Sequence, residues 1–310
     1  MSTAELGRIA VGLAALGRPA YINLGRGPEL PRDRSVASLR AATRQVLDAA
    51  YERGIRRFDV ARSYGLAEEF LGGWLADHGR SDVFVSSKWG YEYVGEWRLD
   101  AEVHEAKEHS LPRLRKQWRQ TSELLGDAVS LYQVHSVTPD SPICTDRGLL
   151  AELAKLAESG VRVGISTSGP AQADVIRRAL ALEVDGVRVF TAVQSTWNLL
   201  ERSAEGALKD AHDDGVLVQL KETLANGRLA VEPPEAVSAV AAERGVSASA
   251  VAIGAALAQS WADVVLIGPS GTGQLADNLT GLGLTDLDVP ATIAQSPEQY
   301  WRQRSALAWR

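Results

Sequence analysis

Four residues of this chain have types suited to moving a proton at a carbonyl group: Asp59, Tyr64, Lys88 and His135. A free tyrosine titrates near pH ~10, too high for efficient general-acid work at neutrality. A neighbouring lysine cation favours the tyrosinate and lowers that value. A carboxylate beside the lysine keeps it charged and oriented, and an imidazole aimed at the same point can hold a carbonyl oxygen. Such a group is a proton donor with an oxygen-binding pocket, and it needs only a source of hydride. Taken singly, each residue is equally well explained as a satisfied cap or edge residue. Asp59, Lys88 and His135 end three successive apolar runs, however, and Tyr64 follows the first of them by a few residues.

Elements must bring those run ends together. Strand-like apolar runs occupy residues 10–16, 57–60, 83–88, 131–135, 162–166, 190–194, 217–220 and 264–267. Most are rich in Val, Ile, Leu or Phe, as strands buried on both faces of a parallel sheet are. Helix-like amphipathic stretches lie between them at 38–53, 149–159, 171–181 and 201–212, several closed by glycine, with an apolar stretch at 249–260. Eight strands alternating with helices predict an α/β fold, a (β/α)8 TIM barrel rather than an open sheet. One barrel fits 310 residues as a single domain, 1–310, with 283–310 as a C-terminal tail whose end, 297–310, reads as a short docked helix. Barrels place function in the loops that follow strands. Trp89, Tyr91 and Trp97 lie in one such segment and are candidates to line an aromatic substrate pocket.

The segments Phe58-Asp59-Val60-Ala61-Arg62-Ser63-Tyr64-Gly65, Ser86-Ser87-Lys88 and Leu131-Tyr132-Gln133-Val134-His135 resemble the Asp, Tyr, Lys and His tetrad of the aldo-keto reductases. Further along, Gly164-Ile165-Ser166-Thr167 is similar to that family's Gly-Val-Ser-Asn segment, which holds a nicotinamide carboxamide. Gln194 with Trp197-Asn198-Leu199-Leu200 resembles Gln-x-x-Tyr-Asn-Leu-Leu. The resemblance runs from about residue 9 to residue 282 and implies carbonyl reduction by NADPH, with NADH possible, on a TIM barrel. It makes Tyr64 the general acid, Lys88 and Asp59 its tuning pair, and His135 the residue that orients the carbonyl.

For the cofactor the resemblance implies Ser166, Thr167 and Gln194, then Leu224, Asn226 and Gly227 in a loop along the pyrophosphate, then Gly268, Gln274 and Asn278 after the last strand. Glycine-rich turns entering a helix suit phosphate. The turn at 268–278 lacks both the Gly-Lys-Ser/Thr ending of a P-loop and a full dinucleotide fingerprint. Three departures from the family pattern matter. The Lys-Ser pair and Arg that grip a 2′-phosphate are replaced by Gly268, Pro269 and Gln274. The Tyr-Ser-Pro before Leu-Ala is replaced by Lys221-Glu222-Thr223, where a Lys221–Glu222 ion pair is one way to fill the place of the stacking tyrosine. The carboxamide-binding Asn is Thr167.

Other classes fare worse. A net charge of −6 argues against general affinity for nucleic acid or anionic membrane. The lone cysteine, Cys144, excludes an intrachain disulfide and a thiolate-rich metal site, and points to a reducing, cytoplasmic setting. No signal peptide or membrane span is expected. The partner implied is a small carbonyl compound, and no metal is expected. His104 and His109, read as helical with Glu102, Glu105 and Glu108, do not share a helix face and are expected to be solvated. An unrelated barrel enzyme with Lys88 as a Schiff base leaves Tyr64 unexplained. A cofactor-binding regulatory protein on the same barrel is the alternative, because fold does not fix function.

Overall fold

A computed structural model describes residues 3–309. Eight parallel strands close into a barrel: β1 (Ile9–Gly12), β2 (Arg57–Asp59), β3 (Phe84–Trp89), β4 (Val129–Val137), β5 (Arg162–Thr167), β6 (Ala192–Thr196), β7 (Leu217–Lys221) and β8 (Val264–Ile267). Neighbours in the ring are neighbours in sequence, and β8 pairs with β1. The chain is therefore a (β/α)8 barrel. All eight expected strands are present. The first is shorter than expected, because beyond Gly12 the chain turns, with Leu13 O accepting the Leu16 and Gly17 amides.

The ten longer helices are α1 (Val36–Glu52), α2 (Ala67–His78), α3 (Leu111–Leu125), α4 (Arg147–Glu158), α5 (Gln172–Leu180), α6 (Glu205–Asp213), α7 (Glu235–Arg244), α8 (Ala248–Leu257), α9 (Thr272–Leu279) and α10 (Pro297–Ser305). Ser35, Ser110, Asp146, Ser247 and Ser296 each accept a hydrogen bond from the backbone N–H three residues on, fixing five of the starts. α6 begins later than expected because Asn198 Oδ1 accepts the Leu200 and Glu201 amides and holds that stretch in a turn. Among the described residues no single helix is long and apolar enough to cross a membrane. α7 and α8 meet that test only as a pair bent by 92°.

Strand alternation sorts the side chains. Phe58, Val85, Trp89, Tyr132, Val134, Ile165, Val193 and Val218 are fully buried in the main core, which also takes Leu39, Leu71, Leu149 and Ile176 from the helices. Burying each such side chain contributes about 1.5–3 kcal/mol. The intervening positions are polar and meet inside the barrel: the register sets Asp59 beside Ser86, Lys88 beside Gln133, and Gln194 between Ser166 and Gln219. A second apolar cluster seats the tail, with Tyr300 and Trp301 of α10 against Leu199, Leu200, Leu229 and Val240. The docked terminal helix expected from the sequence is present.

Candidate active site

β2 ends in Asp59 and β3 carries Lys88 on the same inner face. The two form an ion pair at 2.5 Å, buried on both sides. Lys88 Nζ also donates to Val60 O at 3.1 Å. Ser86 Oγ (2.6 Å) and Gln194 Nε2 (3.0 Å), the latter reaching across the barrel, both donate to Asp59 Oδ1. Both side-chain oxygens of Asp59 are thereby engaged. Tyr64 stands over the pair, its ring centroid 4.8 Å from Lys88 Nζ.

By residue type, Lys88 is expected to lower the Tyr64 pKa. In this structure the phenol is instead held well above its ordinary 10.0, by burial first and by the Asp59 charge second. The lysine is already neutralised by Asp59, so its field at the phenol is largely cancelled. The opposing cation is one the sequence reading missed: Arg18, 1% exposed, in the loop after β1. Its guanidinium carbon lies 5.2 Å from the Tyr64 ring centroid, 4.5 Å from that of Tyr21 and 4.9 Å from that of Trp309, and its Nη1 pairs with Glu105 at 2.7 Å.

His135, on β4, packs edge-on to Tyr64 at 5.5 Å between centroids and lies 5.0 Å from Tyr91. Burial, then Lys88, Lys221 and Arg18, hold its pKa well below 6.5, so the ring is a neutral donor at neutral pH. His109 braces it from behind, with Nε2 2.8 Å from His135 O and Nδ1 2.6 Å from Ser141 Oγ. The helical, solvated reading of His104 and His109 is thus corrected. Both are buried; the strand Glu105–Lys107 between them pairs with Tyr91–Tyr93 as a hairpin; His104 stacks on Trp309 at 4.3 Å. Tyr91 lines the cavity, whereas Trp89 and Trp97 do not. Trp89 alternates with Lys88 and points out into the core, 5.8 Å from His109. Trp97 donates its indole N–H to Arg34 O at 2.9 Å.

A cavity of about 500 Å³ opens at this end of the barrel, a size usual for small-molecule and cofactor sites. Asp59, Tyr64, His135 and Gln194 line it, as do Gly268, Gln274, Asn278, Lys221, Leu224, Asn226 and Gly227, whereas Lys88 lies behind the wall. Two observations fit a dinucleotide here. Asn226 is 6% exposed and its Oδ1 has no partner. A β-carbon at Gly268 would meet nothing within 4 Å, so the backbone edge is open to a ligand. Gly227 has φ +87°, and a β-carbon there would lie 2.3 Å from Leu24 O, so only glycine lets the first loop close on the seventh.

Ser166 and Thr167 are not in the cavity wall. The Thr167 hydroxyl meets Ser195 Oγ at 2.8 Å, and Ser166 Oγ accepts the Ser136 amide at 2.8 Å. The next residue, Ser168, does face the cavity. The ion pair expected from Lys221 and Glu222 is present at 3.7 Å, but the closer partner of Glu222 is Arg304 of α10, at 2.6 Å. Burial pushes the Glu222 carboxyl up, yet Arg304 and Lys221 together hold it at about 2. Burial pulls Lys221 down to about 8 against the Glu222 charge. Lys221 Nζ also donates to Thr196 Oγ1 at 2.9 Å. Among the described residues no group of three or more His, Cys, Asp or Glu could hold a metal ion.

Residues 24–291 match the aldo/keto reductase family. The chain belongs to that family. It is similar to aldo-keto reductase str7 of Strobilurus tenacellus, 35% identical over 141 residues, which are 44% of this chain and 37% of that protein. It is also similar to the uncharacterized oxidoreductase YrpG of Bacillus subtilis (strain 168), 28% identical over 199 residues, 60% of this chain and 58% of the relative. The chain thus spans less than two thirds of the length of these curated relatives. The solved structure of a glycerol dehydrogenase from Gluconobacter oxydans shares the fold at a TM-score of 0.67 and 22% identity, covering 97% of this chain and 90% of that one. The family's barrel is therefore present here.

Proposed function

We propose that this aldo/keto reductase converts an aldehyde or ketone to an alcohol, with a reduced nicotinamide dinucleotide as hydride donor and Tyr64 as proton donor. The observation that supports this best is that Asp59, Tyr64 and His135 line one cavity, with Lys88 buried against Asp59 behind its wall. The nicotinamide, when bound, supplies the hydride. The chain's own residues handle the proton. Neutral His135 offers an N–H to the carbonyl oxygen, and Tyr64, which holds its proton through the neutral range, gives it to that oxygen as negative charge develops. The tyrosinate left behind lies beside Arg18, the cation that opposes the rise of the Tyr64 pKa. Asp59 keeps Lys88 in place. Asn226, Gly227, Gly268 and Asn278 would hold the dinucleotide along the cavity, and Tyr91 would border the substrate. The single Cys144 suits a reducing cytoplasm, and no metal is assigned a role.

A second reading, a cofactor-binding regulatory protein with little turnover, draws on Lys221 standing where the resemblance places a stacking aromatic. A panel of aldehydes and ketones, with oxidation of NADPH and NADH followed for each, separates the two. Turnover with any carbonyl supports the enzyme. Tight nucleotide binding without turnover across the panel supports the alternative.

A further inference from the structure

The peptide unit between His135 and Ser136 is held by side chains at both of its polar atoms. Its carbonyl accepts His109 Nε2–H at 2.8 Å, and its N–H donates to Ser166 Oγ at 2.8 Å. β4 slips in register at this point. Val134 pairs with Ile165 and Val137 with Thr167, so two residues of β4 stand opposite the single Ser166. An extra residue of this kind bends a strand and breaks its alternation. Ser136 accordingly has φ +52°, in the left-handed region that a serine rarely adopts.

The slip brings two consecutive side chains to the cavity. In an unbroken strand His135 would face it and Ser136 would face the helices. Here both line the wall, and Val137 returns to the main core.

The surroundings of His109 are shaped to make its contact with that peptide. The residue is 6% exposed and is not in the cavity wall. A carbonyl oxygen can only accept, so Nε2 carries the proton and Nδ1 accepts from the Ser141 hydroxyl at 2.6 Å. Burial first, then Lys107, pull the imidazole pKa down to about 4, so the ring is neutral through the neutral range. Glu108 N donates to Gly90 O at 2.9 Å, which sets His109 beside the end of β3. A β-carbon at Gly90 would lie 2.4 Å from His109 Cδ2 and 2.7 Å from Nε2, so only glycine there lets the ring reach the carbonyl.

We propose that His109 is a positioning residue: it fixes the peptide that aims His135 and Ser136 into the cavity, and turnover depends on it. This rests on the carbonyl-reducing function proposed above. His109 acts through His135. Without the Nε2–H donor the carbonyl loses its partner, the left-handed Ser136 relaxes, and the His135 imidazole leaves the point at which Tyr64 delivers its proton.

The test is nitrogen-15 NMR of the histidine rings, five in all, together with steady-state kinetics. In the unmodified chain His109 should be the Nε2–H tautomer. His109→Phe keeps a ring against Trp89 and removes both hydrogen bonds, whereas His109→Gln keeps a side-chain N–H. His109→Phe should move the His135 ring signals and lower kcat roughly 10- to 100-fold, with the carbonyl KM and the nucleotide affinity unchanged. His109→Gln should restore the signals and most of the turnover. An Nδ1–H tautomer at His109 in the unmodified chain would overturn the inference. So would unmoved His135 signals in His109→Phe, or a fall in nucleotide affinity that matches the fall in kcat. If the unmodified chain reduces no carbonyl, the function proposed above fails, and the tautomer and the His135 signals still decide whether His109 holds this peptide.

Discussion

Asp59→Asn should destabilise the barrel more than Lys88→Met, although both remove the same ion pair. Lys88 Nζ is fully buried and has two acceptors, Asp59 at 2.5 Å and Val60 O at 3.1 Å. Asparagine leaves the ammonium one carbonyl and a neutral amide. Stranding one partner of a buried pair costs about 3–5 kcal/mol. In Lys88→Met the stranded partner is Asp59, which keeps the Ser86 and Gln194 donors at 2.6 and 3.0 Å. Hydrogen bonds to a charged group contribute about 1.5–3 kcal/mol each, and methionine fills most of the lysine stem's volume. The two variants should therefore differ by about 2 kcal/mol. Urea unfolding at neutral pH, with m-values compared to verify a common unfolded state, measures both. Equal midpoints, or Lys88→Met as the less stable, would refute the reasoning, and losses below about 1 kcal/mol in both would mean that water screens the pair.

Glu222 has a folded pKa of about 2 against an ordinary 4.5, so its contribution is complete above about 4.5 and is lost as pH falls toward 2. Glu222→Gln should flatten unfolding stability across that window, and an unchanged acid slope would contradict the assignment. Lys221 has a folded pKa of about 8 against 10.5, so between those values the unfolded chain binds more protons and stability rises with pH. Lys221→Met should abolish that rise in an alkaline unfolding series. Gly227→Ala meets both a left-handed φ and the Leu24 carbonyl, and should cost about 1–3 kcal/mol while weakening nucleotide binding. Unaltered melting and affinity would show that the loop adapts.

Strand positions were legible because apolar runs and turns mark a buried parallel sheet directly. The alternation within those runs held more information than the loop assignments drew from it. Lys88 faces in, so Trp89 must face out, and Ser166 shares its face with Ser168 rather than with Thr167. Read by that rule, Ser168 belongs to the cavity while Thr167 and Trp89 do not; Tyr91 reaches it only because the chain turns at Gly90, φ +103°, past the end of β3. His104 and His109 carried no such signal: Glu105-Ala106-Lys107 has no apolar face, and only its pairing with Tyr91–Tyr93 makes it a strand. Arg18 and Arg304 were invisible for a different reason. Each acts through a partner far off in sequence, Arg18 with Glu105 and Arg304 with Glu222, and only the closed barrel brings those together.

The central claim is that Tyr64 delivers the proton, and Tyr64→Phe tests it most directly. The ring, its packing on His135 and the cavity survive that change, so nucleotide affinity and melting should match the unmodified chain. With a carbonyl that the unmodified chain turns over, kcat should fall by about 10²–10⁴-fold. Undiminished turnover in Tyr64→Phe would contradict the account.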